Sequence, residues 1–299
     1  MAEAVLVTGA TGLVGSALVR RFAAEGLRVF AAARNVAKAA SLFRGVAGVE
    51  IAEWDVTRPF AGRLPVDRLG YLVHAASETS SRAFVDDPEG VRRVIVEGTA
   101  NVLAFARTVR TGSMVYLSTF EVMLGLTGAR ASYPDAKLAA EALCRESGLN
   151  VSIARLAQTF GEGVRYDDGR VFAEFARAIL ERRDIVLKTE GRTARCYCAL
   201  DDAVEAIRLL LEKGEAGRAY VVANEATYCT IREMAQALID AHPESGSRLV
   251  VDPAGADARG FAPEFQLKLD SSALRALGWT PTVGLPEMFE RMMKGMRRP

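Results

Sequence analysis

The stretch VTGATGLVG occupies residues 7–15 and decides the fold, because it joins a strand to a helix through three regularly spaced glycines. An apolar run precedes it and a helical pattern follows it. Gly9 allows a tight turn, Gly12 lets the backbone approach phosphate oxygens, and Gly15 lets the helix pack closely on the strand. The N–H groups at the helix N-terminus favour an anion. The residues predicted to hold a dinucleotide here are Gly9, Thr11, Gly12, Leu13, Val14 and Gly15.

The composition is that of a globular chain of 299 residues, of which 50% are hydrophobic. A formal net charge of +1 gives no electrostatic reason to expect nucleic acid as a partner. We find no signal-peptide pattern and no apolar run long enough to span a bilayer, so we expect a cytoplasmic protein that does not bind membranes. Four cysteines without a CxxC pair, with only two histidines, predict reduced thiols and no metal site.

Strand-like and helix-like segments alternate along the chain, with the clearest helical patterns at 91–108 and 136–146. This alternation predicts an α/β fold, a doubly wound parallel sheet (Rossmann fold), in residues 1–160. Residues 161–299 are predicted to form mainly a smaller substrate-binding domain, from which about 201–224 return to the first sheet. The predicted strands are 4–7, 27–33, 49–54, 71–76, 113–118 and 151–156.

Tyr133 and Lys137 form the pair most suggestive of chemistry. Their i, i+4 spacing places both side chains on one face of a helix. A nearby ammonium is expected to lower the pKa of the phenol, which makes Tyr133 usable as an acid/base near neutral pH. The preceding strand ends in Ser118 and Thr119, which supply hydroxyl groups for a substrate oxygen. The alternative is an ordinary surface pair on a helix.

Five motifs, in this order, resemble the extended short-chain dehydrogenase/reductase superfamily, in its nucleotide-sugar epimerase/dehydratase branch. The first matches the branch's TGxxGxxG loop. The second resembles its NVxGTxNxL helix motif, and the third resembles its R-x-Y-x-x-V-x-D-x segment. The last two match its C-terminal part. The motifs are TGATGLVG at 8–15, VEGTANVL at 96–103, RCYCALDDA at 195–203, LDSS at 269–272 and LGWTP at 277–281.

The resemblance implies catalytic roles for four residues. Tyr133 would be the acid/base, Lys137 would bind the cofactor ribose and tune Tyr133, and Thr119 would hydrogen-bond the reacting oxygen. Glu121 aligns with the dehydratases' glutamate, which removes the C5 proton of a 4-keto sugar, although Phe120 stands where they carry aspartate. A solvated, structural Glu121 is the alternative.

The resemblance also implies the remaining cofactor contacts. The second strand has Ala33 where an NAD-binding protein carries an acid, and Arg34 follows it, so we expect NADP rather than NAD. Lys137 and Tyr133 would contact the dinucleotide as well, whereas His74 is expected to be structural. The other predicted cofactor contacts are Asp55, Val56, Ala75, Ala76 and Ser77.

On the substrate side, we expect Ser118 to contact the substrate and Arg195 to bind its pyrophosphate bidentately. A salt bridge from Arg195 to Asp201 or Asp202 is the alternative. Tyr133 follows Thr119 by only 14 positions, a shorter loop than the branch usually has. The longer loop normally helps to form the sugar pocket, whereas the short one resembles that of the classical branch, whose substrates are small alcohols and ketones.

Three functions therefore remain open. The first is an NAD(P)-dependent epimerase or dehydratase of a nucleotide-diphosphate sugar, acting by transient C4 oxidation. The second is an NADPH-dependent carbonyl reductase of the same superfamily, and the third is a non-catalytic dinucleotide-binding protein. The resemblance further implies a homodimer formed through the helices at 91–108 and 136–146, although their apolar faces equally fit packing on the sheet.

Overall fold

The computed structural model describes residues 3–80, 82–252 and 264–296. The chain divides into two compact units. The first contains the chain up to Leu156, together with Ala203–Val222 and Ser272–Trp279; the second contains Ala157–Asp202, Ala223–Ser271 and the chain from Thr280.

The strands and α-helices follow one another largely in alternation. The strands are β1 (Ala4–Thr8), β2 (Arg28–Ala33), β3 (Val49–Glu53), β4 (Tyr71–His74), β5 (Ser113–Thr119), β6 (Val151–Leu156), β7 (Gln158–Phe160), β8 (Ile185–Leu187), β9 (Ala194–Ala199), β10 (Ala219–Val222), β11 (Asn224–Thr230), β12 (Leu249–Val251) and β13 (Gln266–Leu267). The α-helices are α1 (Leu13–Ala24), α2 (Val36–Leu42), α3 (Ala83–Asp86), α4 (Pro88–Arg92), α5 (Gly98–Thr108), α6 (Ser132–Glu146), α7 (Val171–Leu180), α8 (Leu200–Lys213), α9 (Ile231–Ala241), α10 (Ser272–Arg275) and α11 (Leu285–Gly295).

The first unit is built on a seven-stranded sheet in the order β10-β6-β5-β4-β1-β2-β3. Every neighbouring pair is parallel. All residues of β1 and β5 are buried, as expected for central parallel strands covered on both faces. The strand order reverses between β1 and β4, and ligands of such sheets bind at the carboxyl ends next to that point. The predicted α/β fold is confirmed.

Two predicted helices differ from the observed ones in their bounds. The pattern at 91–108 is a continuous helical segment made of α4, a π-helical turn at Arg93–Glu97, and α5. It begins earlier than predicted because the Asp87 carboxylate caps the N–H of Gly90 at 2.9 Å. The pattern at 136–146 begins at Ser132, so that Tyr133 lies in the first turn of α6.

The second unit has β9 at the centre of a smaller sheet. β11 pairs with β9 antiparallel, whereas β13 and β7 pair with it parallel, and β8 and β12 form a separate parallel pair. A reciprocal capping box between Thr230 and Glu233 begins α9. Phe160 stacks on Phe172 at 4.4 Å in the core of this unit.

Within the described residues, no helix is long and apolar enough to cross a membrane, and no group of three or more His, Cys, Asp or Glu side chains could hold a metal ion. The four cysteines form no disulfide.

Candidate active site

The glycine turn after β1 is shaped by close backbone contacts. Gly9 has φ +66°, and a Cβ there would lie 2.6 Å from the N atom of Ala76. A Cβ on Gly15 would overlap the carbonyl oxygen of Gly9. Helix α1 starts after Gly12 without a side-chain cap, so its first N–H groups suit an anion. The predicted contacts Thr11, Leu13 and Val14 lie in this turn and are partly exposed, which fits a dinucleotide pyrophosphate.

His74 joins this turn to the helical segment that follows β4. Thr99 donates its hydroxyl proton to the carbonyl of Ile95 at 2.5 Å, so its oxygen accepts from His74 Nε2 at 3.2 Å. His74 Nδ1 then accepts from the Thr8 hydroxyl at 2.7 Å, and Thr8 Oγ1 accepts from the N–H of Ala76 at 3.4 Å. Complete burial lowers the pKa of His74 to about 3, so the ring is neutral. The chain Ala76–Thr8–His74–Thr99 is therefore structural, as predicted for His74.

The ends of β2 and β3 bring Arg34 close to Asp55. Arg34 is exposed. Burial tends to raise the pKa of Asp55, but two hydrogen bonds from Thr57 and the charge of Arg34 outweigh it and lower that pKa. Val56 is buried, and its carbonyl accepts from Asn101 Nδ2 at 2.9 Å. These hydrogen bonds hold Asp55 and Val56, whereas Arg34 extends into solvent.

Tyr133 is 8% exposed and lies between groups from several elements. Its ring stacks on Phe84 at 4.4 Å with an angle of 8°. Burial, and then the charge of Glu121, raise the pKa of Tyr133 above its usual range, while hydrogen bonds with the Thr119 and Ser77 hydroxyls act in the opposite direction. The phenol is thus neutral near pH 7 and lies in contact with the two hydroxyl groups.

Lys137 does not have the predicted effect on Tyr133. Its Nζ donates to the carbonyl of Leu117 at 2.7 Å and lies 5.8 Å from the centre of the Tyr133 ring. The side chain is 3% exposed, and burial lowers the pKa of Lys137 to about 7. The prediction that Lys137 lowers the pKa of Tyr133 is wrong for this structure, because desolvation dominates both groups and the amine points to a backbone carbonyl.

Ser118 also differs from its prediction as a substrate contact. Successive residues of a strand face opposite sides of the sheet. Whereas the Thr119 hydroxyl meets Tyr133, the buried Ser118 hydroxyl donates to Glu141 Oε1 at 2.6 Å. The Ser118 hydroxyl therefore donates its hydrogen bond within the core of the first unit.

Glu121 follows Thr119 in a 3-10 helical turn, Phe120–Met123, and is half-buried. Its charge raises the pKa of Tyr133, so the carboxylate lies near the phenol. Phe120, which replaces the dehydratases' aspartate, is buried in the core. Glu121 is therefore not fully solvated, and its role as the base that removes a substrate proton stays a prediction.

Arg195 belongs to β9 in the second unit. Its Nη1 contacts Gln158 Oε1 at 3.4 Å, and its guanidinium lies 5.2 Å from the centre of the Phe265 ring. Asp201 instead pairs with Arg291, and Asp202 accepts from the N–H of Thr282 at 3.1 Å. The arrangement therefore differs from the salt bridge considered as the alternative for Arg195.

Two residues of this region were missed by sequence reasoning. Phe84 comes from a short helix far along the chain from Tyr133, and no local pattern links the two. Glu141, by contrast, follows Lys137 by four positions on the same helix, so helical spacing could have indicated it.

Comparisons with known proteins extend over nearly the whole chain. A model described as "NAD dependent epimerase/dehydratase family" matches residues 5–223. The chain is 26% identical to UDP-glucuronic acid decarboxylase 3 of Arabidopsis thaliana, an alignment that covers 98% of this chain and 89% of that relative. It is 27% identical to UDP-glucuronic acid decarboxylase 1 of Danio rerio, with 98% and 72% covered.

Two solved structures share the fold. One is a UDP-glucose 4-epimerase from Thermotoga maritima in complex with UDP-glucose, with a TM-score of 0.80, 20% identity and 98% of each chain covered. The other is DesIV, a dTDP-glucose 4,6-dehydratase from Streptomyces venezuelae with NAD bound, with a TM-score of 0.77, 22% identity, and 98% of this chain and 96% of that one covered.

Proposed function

Since the chain belongs to the NAD dependent epimerase/dehydratase family, we propose that it modifies a nucleotide-diphosphate sugar by transient oxidation at C4, with Tyr133 as the acid/base. The family predicted from the five motifs is confirmed. The observation that carries the proposal is the position of the buried Tyr133 phenol beside the Thr119 and Ser77 hydroxyls, on the helix that also carries Lys137. Relatives named as decarboxylases, epimerases and dehydratases of nucleotide sugars support the substrate class.

The glycine turn supports a bound dinucleotide. Its backbone leaves no room for a Cβ at Gly9 or Gly15, and the N-terminus of α1 has no side-chain cap to compete with a pyrophosphate. A nicotinamide dinucleotide supplies the acceptor and donor of the hydride. We propose NADP rather than NAD because Arg34 is exposed at the end of β2, where its guanidinium suits a 2′-phosphate. The structural neighbours with NAD bound make NAD the other outcome.

In the proposed reaction, Thr119 holds the oxygen at C4 and Tyr133 takes its proton. Because the pKa of Tyr133 is raised, the phenol must first release its own proton to solvent before it can accept the proton of the C4 hydroxyl. Lys137 would bind the ribose of the dinucleotide. Glu121 would then remove a proton from the carbon next to the ketone. Arg195 would bind the substrate pyrophosphate.

A carbonyl reductase that uses NADPH is the second candidate. A neutral Tyr133 is ready to donate a proton to a carbonyl oxygen without prior deprotonation. The short segment between Thr119 and Tyr133 also suits a smaller substrate. A purely dinucleotide-binding protein is less well supported, because it would need no Thr119, Tyr133 and Lys137 in one place.

The first experiment identifies the bound nucleotide. The protein is purified without added cofactor and denatured, and any released nucleotide is identified by mass spectrometry. Stoichiometric oxidised dinucleotide supports internal recycling of the hydride, as in an epimerase, dehydratase or decarboxylase. An empty protein that binds and releases NADPH supports the reductase.

The second experiment tests Tyr133 with UDP-glucuronic acid, UDP-glucose and dTDP-glucose. We expect Tyr133→Phe to lower kcat about 10³-fold while the dinucleotide still binds, because general acid–base catalysis contributes on that order. Tyr220→Phe is the matched control, since Tyr220 is equally buried and its hydroxyl contacts Glu215 instead. Unchanged turnover in Tyr133→Phe would refute the assignment.

A further inference from the structure

The carboxylate of Glu141 is the most highly coordinated buried charge near Tyr133. Its side chain is 0% exposed. Oε1 accepts from the Ser118 hydroxyl at 2.6 Å and from Arg155 Nε at 2.9 Å. Oε2 accepts from Arg155 Nη2 at 2.7 Å and from Arg145 Nη2 at 2.8 Å. Burial alone would raise the pKa of Glu141, but these hydrogen bonds outweigh it, so the group stays ionised.

These contacts join three elements that carry the proposed chemistry. Glu141 lies on α6, four residues after Lys137 and eight after Tyr133, so the three share one face of the helix. Ser118 and Arg155 are register partners on the neighbouring strands β5 and β6. Ser118 is also the residue before Thr119. Glu141 thus fastens the helix that bears the acid/base to the strand end that bears its hydroxyl partner.

A buried ion pair is a poor source of stability, because desolvating both charges offsets much of their attraction. Such a pair instead fixes the relative orientation of the elements that it joins. Apolar contacts tolerate small sliding or rotation of a helix, whereas a bidentate guanidinium–carboxylate pair fixes distance and orientation. A shift of about 1 Å at reacting groups can reduce turnover about 100-fold.

We propose that Glu141 is a positioning residue, which sets α6 on β5 and β6 so that Tyr133 and Lys137 lie in register with Thr119. The inference rests on the proposed function for its catalytic consequence, but the placement itself is a property of the fold. Glu141 touches neither substrate nor cofactor in this account and acts through Tyr133 and Lys137.

Two variants separate positioning from general stability. Glu141→Gln keeps the shape but leaves the Arg155 charge without its partner. We expect it to lower the melting temperature by roughly 5–10 °C and kcat roughly 10- to 100-fold, with the KM for the sugar nucleotide nearly unchanged. The double variant E141M/R155M removes the Glu141–Arg155 pair and leaves the half-exposed Arg145 charge to solvent. We expect it to regain most of the melting temperature while kcat stays low. Glu205→Gln, which removes partly exposed ion pairs with Arg21 and Arg208 in the same unit, is the control.

Recovery of kcat together with the melting temperature in the double variant would overturn the proposal, because Glu141 would then be only structural. So would a wild-type kcat in Glu141→Gln.

A readout without substrate keeps this test independent of the proposed function. Hydrogen exchange is measured on the protein saturated with dinucleotide. We expect faster exchange at 117–119 and 132–137 in both Glu141 variants, including the restabilised double variant, with unchanged exchange in β1. Unchanged exchange at these segments would refute the placement. Faster exchange in a protein that acts on no sugar nucleotide would instead refute the proposed function and leave the placement standing.

Discussion

The glycine turn after β1 and the contact between α6 and β5 are held together in different ways. In the turn, backbone meets backbone: Gly9 lies against Ala75 and Ala76, and Gly15 against Gly9. At α6, charged and hydroxyl side chains from three elements meet around Glu141. The first region requires glycines, which have no Cβ. The second requires a carboxylate that accepts several hydrogen bonds. Sterics therefore determine the conformation of the glycine turn, whereas hydrogen bonds to a buried charge join α6 to β5 and β6.

We expect the largest effect from adding one methyl group to the glycine turn. Gly9→Ala combines a positive φ with a Cβ placed 2.6 Å from a backbone nitrogen, so we expect a loss of about 3 kcal/mol or more in the free energy of unfolding. Dinucleotide affinity should fall by at least about tenfold, since the turn must move. Urea unfolding and titration calorimetry measure the two effects.

Gly26→Ala is the matched control for Gly9→Ala. Gly26 has a similar φ of +79° but no neighbouring atom within 4 Å of an added Cβ. It should cost only the left-handed backbone penalty, about 1 kcal/mol, and leave binding unchanged. Equal losses in the two variants would show that conformation alone, and not the contact with Ala76, requires glycine at this turn.

His74 lies between the two regions, and its buried ring makes the stability of the protein depend on pH. Its pKa is about 3 in the folded protein and about 6.5 when unfolded. Between these values the unfolded state binds a proton that the folded state does not, so stability falls as the pH drops below about 6.5. The expected loss is about 2 kcal/mol from pH 7 to pH 5.

His74→Gln tests this loss, because glutamine can donate and accept hydrogen bonds but does not titrate. The variant should be less stable than the wild type at pH 7, with a gap that narrows by about 2 kcal/mol at pH 5. Urea unfolding at the two pH values measures the gap. His242→Gln, which changes the histidine beside Glu244, should keep the wild-type dependence. A constant gap for His74→Gln would argue against a buried neutral imidazole.

The smallest change in free energy is expected from Arg34→Ala, because Arg34 is exposed to solvent at the end of β2. Arg34→Ala should weaken NADP binding about tenfold, about 1.4 kcal/mol, and leave NAD binding unchanged, because the guanidinium would contact only the 2′-phosphate. Titration calorimetry with both dinucleotides measures the ratio, and Arg44→Ala removes an exposed charge as the control. Equal affinity changes for the two dinucleotides would indicate that Arg34 does not discriminate between them.

The sequence determined the parallel sheet, the family and the position of the glycine turn. In each case the deciding signal is local: the strand, the three glycines and the start of α1 follow one another directly, and Tyr133 and Lys137 share one helix face. Helix bounds were less well determined, since α4 depends on capping by Asp87, and the start of α6 on contacts beyond its own apolar pattern.

Only the tertiary structure decided what surrounds each polar group. Spacing places Lys137 near Tyr133, but their pKa values depend on burial, on the carbonyl of Leu117 and on the charge of Glu121. Likewise, the adjacent residues Ser118 and Thr119 point to opposite sides of β5. The hydroxyl of Ser118 therefore contacts Glu141, and that of Thr119 lies beside Tyr133. The burial and hydrogen-bond partners of each group depend on residues that are far from it in the sequence. A local sequence pattern therefore cannot predict them.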